Sequence, residues 1–181
     1  MSIEYRLLEA YECERIKEIN PARFIKRAWR SVNGVKQWID LNWLDDDYPA
    51  GYDVHLEALQ KTFKNGGFAI GAFIGTKLVG FVSVNRDAFG SQSKYVLLDQ
   101  LFIDNKHQGQ GIGKKLFHLS AKKALEWKVD KFYICAGSSE DTLAFYKSLG
   151  CTDAIEINQK LQDDDINDMQ LEYVLLNSHS V

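Results

Sequence analysis

The sequence predicts an α+β fold in which a central mixed sheet, largely antiparallel, is flanked by helices. Three observations predict it. Residues 68–74 and 77–85 are apolar, strand-like runs joined by the two-residue turn Gly75-Thr76, which reads as an antiparallel hairpin. A long strand-like run, 95–104, enters a glycine loop at 108–113 and then an amphipathic helix over 111–128. A shorter strand, 132–136, is followed by a second helix, 141–149, so strands and helices mix rather than alternate strictly.

The remaining elements follow from local chemistry. Residues 3–8 alternate as a first strand, and 12–19 form a short helix ended by Pro21. Three of the four tryptophans, Trp29, Trp38 and Trp43, fall within 24–43, which centres on Asn33-Gly34. Both turn residues tolerate positive φ, so the segment reads as a Trp-bearing hairpin inserted ahead of the sheet. Asp45, Asp46, Asp47, Tyr48 and Pro49 break regular structure. Residues 53–64 are helical, with Val54, Leu56, Leu59 and Phe63 as apolar positions, and Asn65-Gly66-Gly67 ends them. In the 111–128 helix, Ile112, Leu116, Leu119, Ala124 and Trp127 share one arc, while Lys114, Lys115, Lys122 and Glu126 lie off it. Gly150 caps the 141–149 helix, and two strands, 155–157 and 169–176, finish the sheet across an acidic loop at 162–168. The expected organisation is one domain over 1–177 with a disordered tail at 178–181.

Composition narrows the function class. At 181 residues, 45% hydrophobic and 26% charged, the chain is ordinary for a globular protein with a sizeable core. No apolar run reaches membrane-spanning length, and the N-terminus lacks the pattern of a secretory signal. Cys13, Cys135 and Cys151 are odd in number and without C-x-x-C spacing, which points to reduced thiols in a cytoplasm. The four histidines show no metal-ligand spacing, so no metal is expected. A net charge of −3 disfavours nucleic acid as the main partner.

The glycine loop carries the chemistry. Gln108, Gly109, Gln110, Gly111, Ile112 and Gly113 place three glycines within five residues, so the backbone can turn tightly and approach a ligand. The helix that follows offers unpaired N–H groups and the positive end of its dipole, a seat for pyrophosphate. A P-loop would need Ser or Thr after Lys114, where the chain has Lys115. A dinucleotide fingerprint would need a third glycine where the chain has Lys114 or Leu116, and an acid after the next strand, which is absent. The remaining pattern is Q/R-x-x-G-x-G/A.

That pattern, preceded by the strand Leu97-Leu98-Asp99-Gln100-Leu101-Phe102-Ile103, resembles the acyl-CoA signature of the GNAT superfamily of N-acetyltransferases. A second segment, from Leu143 through Tyr146 to Gly150-Cys151, is similar to the family's "A-x-x-x-Y-x-x-x-G-F" stretch. The resemblance covers nearly the whole chain and implies a GNAT-like fold and acetyl-CoA as donor co-substrate. It implies that pantetheine pairs with Leu101, Phe102 and Ile103, and that Gly109, Gln110, Gly111, Ile112, Gly113 and Lys114 hold the pyrophosphate, with Gln108 at the Q/R position. Each charge-assisted hydrogen bond to phosphate would contribute about 1.5–3 kcal/mol.

The resemblance also implies catalytic groups. Tyr146 would supply a proton to the departing thiolate, since a phenol is protonated at neutral pH. Asp99, two residues before Leu101 and so expected on its face, is the candidate base for the attacking amine, with a structural ion pair as the rival reading. The family often has asparagine seven residues before the tyrosine and alanine three residues later; here Ser139 and Thr142 stand there, and Ser139 can still bond the cofactor. Direct transfer in a ternary complex is the expected mechanism, to a small-molecule or peptide amine. The acidic loops 45–47 and 163–165 would favour a cationic acceptor if they faced the site, although such triplets are more often solvated surface. Trp29 and Trp38 more often form core or a dimer interface than a substrate platform. Homodimerisation, common in the superfamily, stays open. The competing reading is a non-catalytic acyl-CoA-binding regulatory module.

Overall fold

The computed structural model describes residues 2–175. The expected domain end at 177, the tail at 178–181 and the end of the 169–176 strand lie outside the described residues.

The chain opens with β1 (Ile3–Leu7) and a 3₁₀ helix over Ala10–Glu18. The short helix expected over 12–19 is this 3₁₀ helix, begun two residues earlier, and Glu12 pins it by gripping Arg6 at 2.7 Å and Arg15 at 3.1 Å. The hairpin follows as β2 (Arg23–Val32) and β3 (Val35–Asp45), turning at Asn33 (φ 50°) and Gly34 (φ 79°). Both central residues have positive φ, as the Asn-Gly pair predicts. Next come α1 (Tyr52–Lys64), β4 (Phe68–Ile74), β5 (Lys77–Val84) and β6 (Tyr95–Ile103). The second half holds α2 (Ile112–Ala124), β7 (Lys131–Ala136), α3 (Glu140–Ser148), β8 (Thr152–Asp153), α4 (Gln159–Asp164) and β9 (Met169–Val174).

Seven strands form one sheet in the order β1-β4-β5-β6-β7-β9-β8, and β2-β3 stands apart as a two-stranded ribbon. Every neighbouring pair in the sheet is antiparallel except β6 and β7, which run parallel. On one face the main core gathers under α2, with Val82, Leu98, Leu116, Phe117, Ile134 and Leu171 fully or almost fully buried. On the other face α1 and the 3₁₀ helix cover a second core around Ile16, Leu59, Phe73 and Phe81. Val54, expected on the apolar side of α1, is exposed.

Three expectations need correction. Residues 155–157 form no strand: the Glu156 carboxylate accepts the N–H groups of Ser91, Gln92 and Ser93 at 2.7–2.9 Å, while Ile155 and Ile157 point to solvent. The short β8, one step earlier, pairs with β9 instead. The acidic stretch 162–168 is not all loop, because α4, N-capped by Asn158, runs through its first three residues. The 111–128 helix stops being α-helical at Ala124 and tightens into a 3₁₀ turn over Leu125–Trp127, which packs Trp127 on Phe68.

The hairpin is clasped to α3 rather than free. Trp29 N–H donates to the Ser138 carbonyl at 2.9 Å, Arg27 pairs with Glu140, and Arg30 donates to Ser138 Oγ. Trp29 and Trp38 meet edge to face at 4.9 Å, and Arg27 lies over the Trp38 ring. Trp43 remains 55% exposed, so the tryptophans do not form one buried cluster.

Candidate active site

The site begins where two strands part. β6 and β7 share only three parallel rungs, Tyr95 with Lys131, Val96 with Phe132 and Leu97 with Tyr133. Both strands continue past the last rung, but each keeps pairing only with its outer neighbour, β6 with β5 and β7 with β9. Beyond Leu97 the edge of β6 that faces β7 has no strand partner. Its N–H and C=O groups can therefore bond an extended ligand lying in the gap.

A cleft of about 500 Å³ opens there. Leu101, Phe102 and Ile103 line it from β6, Ser139 and Tyr146 from α3, and Arg23, Phe24 and Ile25 from the hairpin. Gln108, Gly109, Gly111, Ile112, Gly113 and Lys114 line it from the glycine loop and the head of α2. Eleven of the thirteen expected site residues therefore share one cavity. Gln110 and Asp99 are not among its lining residues.

The loop reaches this place through a cap. Asp104 accepts from Lys106 N at 3.1 Å and from Asn20 N at 3.2 Å, and Lys77 Nζ stands 3.3 Å away. Burial works to raise the Asp104 pKa, but these donors outweigh it and hold the carboxyl below its usual value. Gly109 (φ 74°) and Gly111 (φ 80°) then take left-handed conformations. A Cβ at either would meet nothing within 4 Å, so backbone conformation is what demands glycine there. Gly113 answers a different need: its Cβ would lie 3.3 Å from Phe145, so it lets α2 approach α3 closely. Gly111 heads α2 without a side-chain cap, and no acid sits in the first turn. The first N–H groups of α2, with Lys114 beside them, are thus open to an anion in the cleft. Gln108 turns its amide to the Ile103 carbonyl at 3.3 Å, and Gln110 turns its own to the Lys106 carbonyl.

Tyr146 is buried on α3 against Phe117 and Phe145. Burial, with the nearby Cys151 thiol adding, raises its pKa further above 10.0, so the phenol keeps its proton at neutral pH. Among the described residues no group bonds its hydroxyl. Ser139 lines the cleft but is already occupied: as N-cap of α3 it accepts from Thr142 N at 3.4 Å, and its hydroxyl donates to Thr142 Oγ1 at 2.8 Å.

Asp99 sits where the sheet is irregular. Ser83 pairs with Gln100 and Val84 with Leu98, so Asp99 is the extra residue of a β-bulge. The bulge breaks the alternation, and Leu101 packs into the core under α2 while Gln100 bonds His55 of α1 at 2.9 Å. Asp99 goes with the α1 side: His55 and Lys61 of that helix act on its charge. It does not share the face of Leu101, as plain alternation would have it. Burial raises its pKa, and Gln100, His55 and Lys61 pull the other way.

Two groups at or beside the cleft, Arg23 and Asp168, carried no signal in the sequence. Arg23 donates to Thr142 Oγ1 at 3.0 Å and lies 3.5 Å from Asp45. Asp47 lines the cavity, so one acid of the first triplet does face it. Asp168, just before β9, has its pKa pushed to about 6 by burial, with Asp165 adding and Arg30 and Arg23 opposing. No helix among the described residues is long and apolar enough to cross a membrane.

The sequence matches the acetyltransferase (GNAT) family over residues 38–151. A search of curated protein sequences returned no match. Among solved structures, nourseothricin acetyltransferase superposes with a TM-score of 0.72 at 13% identity, covering 97% of this chain and 100% of that one. The PaiA N-acetyltransferase of Thermoplasma acidophilum, in complex with coenzyme A, gives 0.58 at 16% identity, over 96% and 99%. An aminoglycoside 6'-N-acetyltransferase complexed with coenzyme A gives 0.56 at 13% identity, over 71% and 83%. At such identities these structures speak for the shared fold.

Proposed function

The chain belongs to the GNAT acetyltransferase family, and from that premise we propose that it moves an acetyl group from acetyl-CoA directly to an amine within a ternary complex. The observation that carries this reading is the parting of β6 from β7, with the glycine loop and Tyr146 both lining the cleft that opens there. The cofactor's pyrophosphate would take the N–H groups of Gly109 to Lys114, and its pantetheine arm the free edge of β6 at Leu101, Phe102 and Ile103. Gln108 and Ser139 would bound that path, with their side chains partly spent on local bonds. Gln110 would contribute its backbone rather than its side chain. The elements involved run from the hairpin to β9, which supports reading the chain as a single transferase domain over 1–177. CoA in two of the similar solved structures supports the choice of donor.

The chemistry balances with two protein groups. A neutral amine attacks the thioester carbonyl, forming the C–N bond and a tetrahedral oxyanion. Asp99 takes the amine proton, directly or through one water, from the face opposite α2. The C–S bond breaks, Tyr146 donates its proton to the thiolate, and solvent returns a proton to the phenol as Asp99 releases one. The raised pKa of Tyr146 suits a donor, and the raised pKa of Asp99 suits a base better than an ordinary surface carboxylate.

The test is thiol release from acetyl-CoA across a panel of amines and peptides, with mass analysis of the product. A mass gain of one acetyl group on an amine is the expected result. Calorimetric binding of CoA with no transfer to any amine would instead favour a regulatory binding module.

A further inference from the structure

The β2-β3 ribbon is held along one edge. β2 turns its outer edge to the start of α3, where Trp29 N–H donates to the Ser138 carbonyl and Ala28 bridges Ser139. β3 pairs with β2 and with no other strand among the described residues. Because Trp29 spends its N–H on Ser138, its pair with Trp38 is not hydrogen-bonded, and Trp38 sends its own N–H and C=O to the free edge. By alternation Lys36 and Asp40 do the same, and both side chains are exposed. A long edge strand without proline is a template for another strand.

Apolar surface gathers on the same ribbon. Phe24, Val32, Val35, Trp38, Trp43 and Leu44 are six of the thirteen large apolar side chains that stand exposed among the described residues. Such a concentration marks a contact surface rather than scattered side chains. The regular part of the edge ends at Asn42, whose φ of 47° turns the strand, so residues 35–41 are the stretch a second strand can follow.

Charge selects the occupant. A second copy related by a two-fold axis pairs β3 with β3 antiparallel, residue i facing j as j faces i. An axis at Lys36 or at Asp40 sets like charges opposite each other, and one at Gln37 or Ile39 leaves both charges facing uncharged residues. With the axis at Trp38, Lys36 of each copy faces Asp40 of the other, and Trp38 faces Trp38. On the opposite face of that register Val35, 64% exposed, meets Leu41. Opposite charges, aromatic pairs and apolar pairs in these positions all stabilise a sheet.

We propose that the free edge of β3 is a homodimer seam, two copies pairing antiparallel about Trp38 so that the ribbons form one four-stranded sheet. The strand order β2-β3-β3-β2 uses up both free edges, so pairing stops at two copies. Trp29 and Trp38, already edge to face at 4.9 Å, continue across the axis into a row of four tryptophans. The ladder is short, which puts the association at the small end of specific interfaces, with a micromolar dissociation constant expected. None of this depends on the transferase reading.

Sedimentation velocity of the full chain over a micromolar concentration series tests this. The wild type is expected to pass from monomer to dimer mass as concentration rises. Lys36→Asp and Asp40→Lys each set like charges opposite one another twice per dimer, and each is expected to weaken association about tenfold. An equimolar mixture of the two variants puts opposite charges back at both positions and is expected to recover the wild-type constant. Both side chains are exposed, so far-UV circular dichroism should keep its shape. Amide exchange over 35–41 slows with concentration in the wild type and not in either single variant. A wild type that stays monomeric throughout overturns the proposal and leaves the edge to a strand of another protein. A dimer unaffected by both variants overturns it as well, because another surface then holds the pair. So does a dimer that each variant weakens and the mixture fails to restore, because the register is then wrong.

Discussion

Tyr146 and Asp99 approach the gap from opposite faces of the sheet, one beside the α2 core and one beside α1, which is the geometry their proposed roles require. Tyr146→Phe removes only a hydroxyl from a packed ring. It is expected to lower kcat by about 100-fold, the low end of general-acid effects, while the acetyl-CoA dissociation constant from calorimetry holds. A variant turning over at the wild-type rate would remove Tyr146 from the mechanism. Asp168 gives a test of a different kind. Its pKa, ordinarily 3.8, stands at about 6, so the fold prefers the protonated form. The charged form therefore weakens the fold as pH rises from 3.8, and the penalty is complete above about 6. Asp168→Asn should raise the urea midpoint at pH 7 and leave it unaltered at pH 3. Equal midpoints at pH 7 would contradict this.

At the scale of elements, the glycine loop and the head of α2 act as one piece. Gly111→Val forces a β-branched residue into φ 80° and would cost about 1–2 kcal/mol in backbone strain. Acetyl-CoA affinity should fall at least tenfold while far-UV circular dichroism keeps its shape, and retained affinity would argue that the loop is not the phosphate seat. Gly113→Val instead wedges α2 from α3 at Phe145 and is expected to lower stability by about 1–3 kcal/mol, read from chemical denaturation. The contrast explains what was legible in the sequence. Positive-φ glycines and the Asn33-Gly34 turn announce themselves because few other residues adopt those conformations. The bulge at Asp99 does not, because its cause is the register of β5, far off in sequence. Residues 155–157 look like a strand because Ile-Glu-Ile alternates, yet Glu156 is claimed by the loop at 91–93.

On the whole molecule, two antiparallel blocks, β1-β4-β5-β6 and β7-β9-β8, meet through three rungs and the core under α2. A ligand in the gap touches both. Acetyl-CoA at 100 times its dissociation constant contributes about 2.7 kcal/mol, enough for a rise in Tm of about 5–10 °C in a chain of this size. Differential scanning fluorimetry checks this, with no rise expected for NAD or ATP. Hydrogen exchange should slow along β6 past Leu97 and in the first turn of α2. The order of elements was legible because each is locally written. The parting of β6 and β7 was not, since it depends on how far two strands 30 or more residues apart keep company, which no local pattern records.

Three rungs are also a seam. Under tension that pulls the two blocks apart, the load falls on the β6–β7 rungs one at a time, so that junction is where the blocks would part. The longer β4–β5 and β5–β6 ladders would hold to higher force. A pantetheine arm bonded along the free edge of β6 would act as a splint over that seam, so the rupture force measured by pulling the two blocks apart should report whether the cleft is filled.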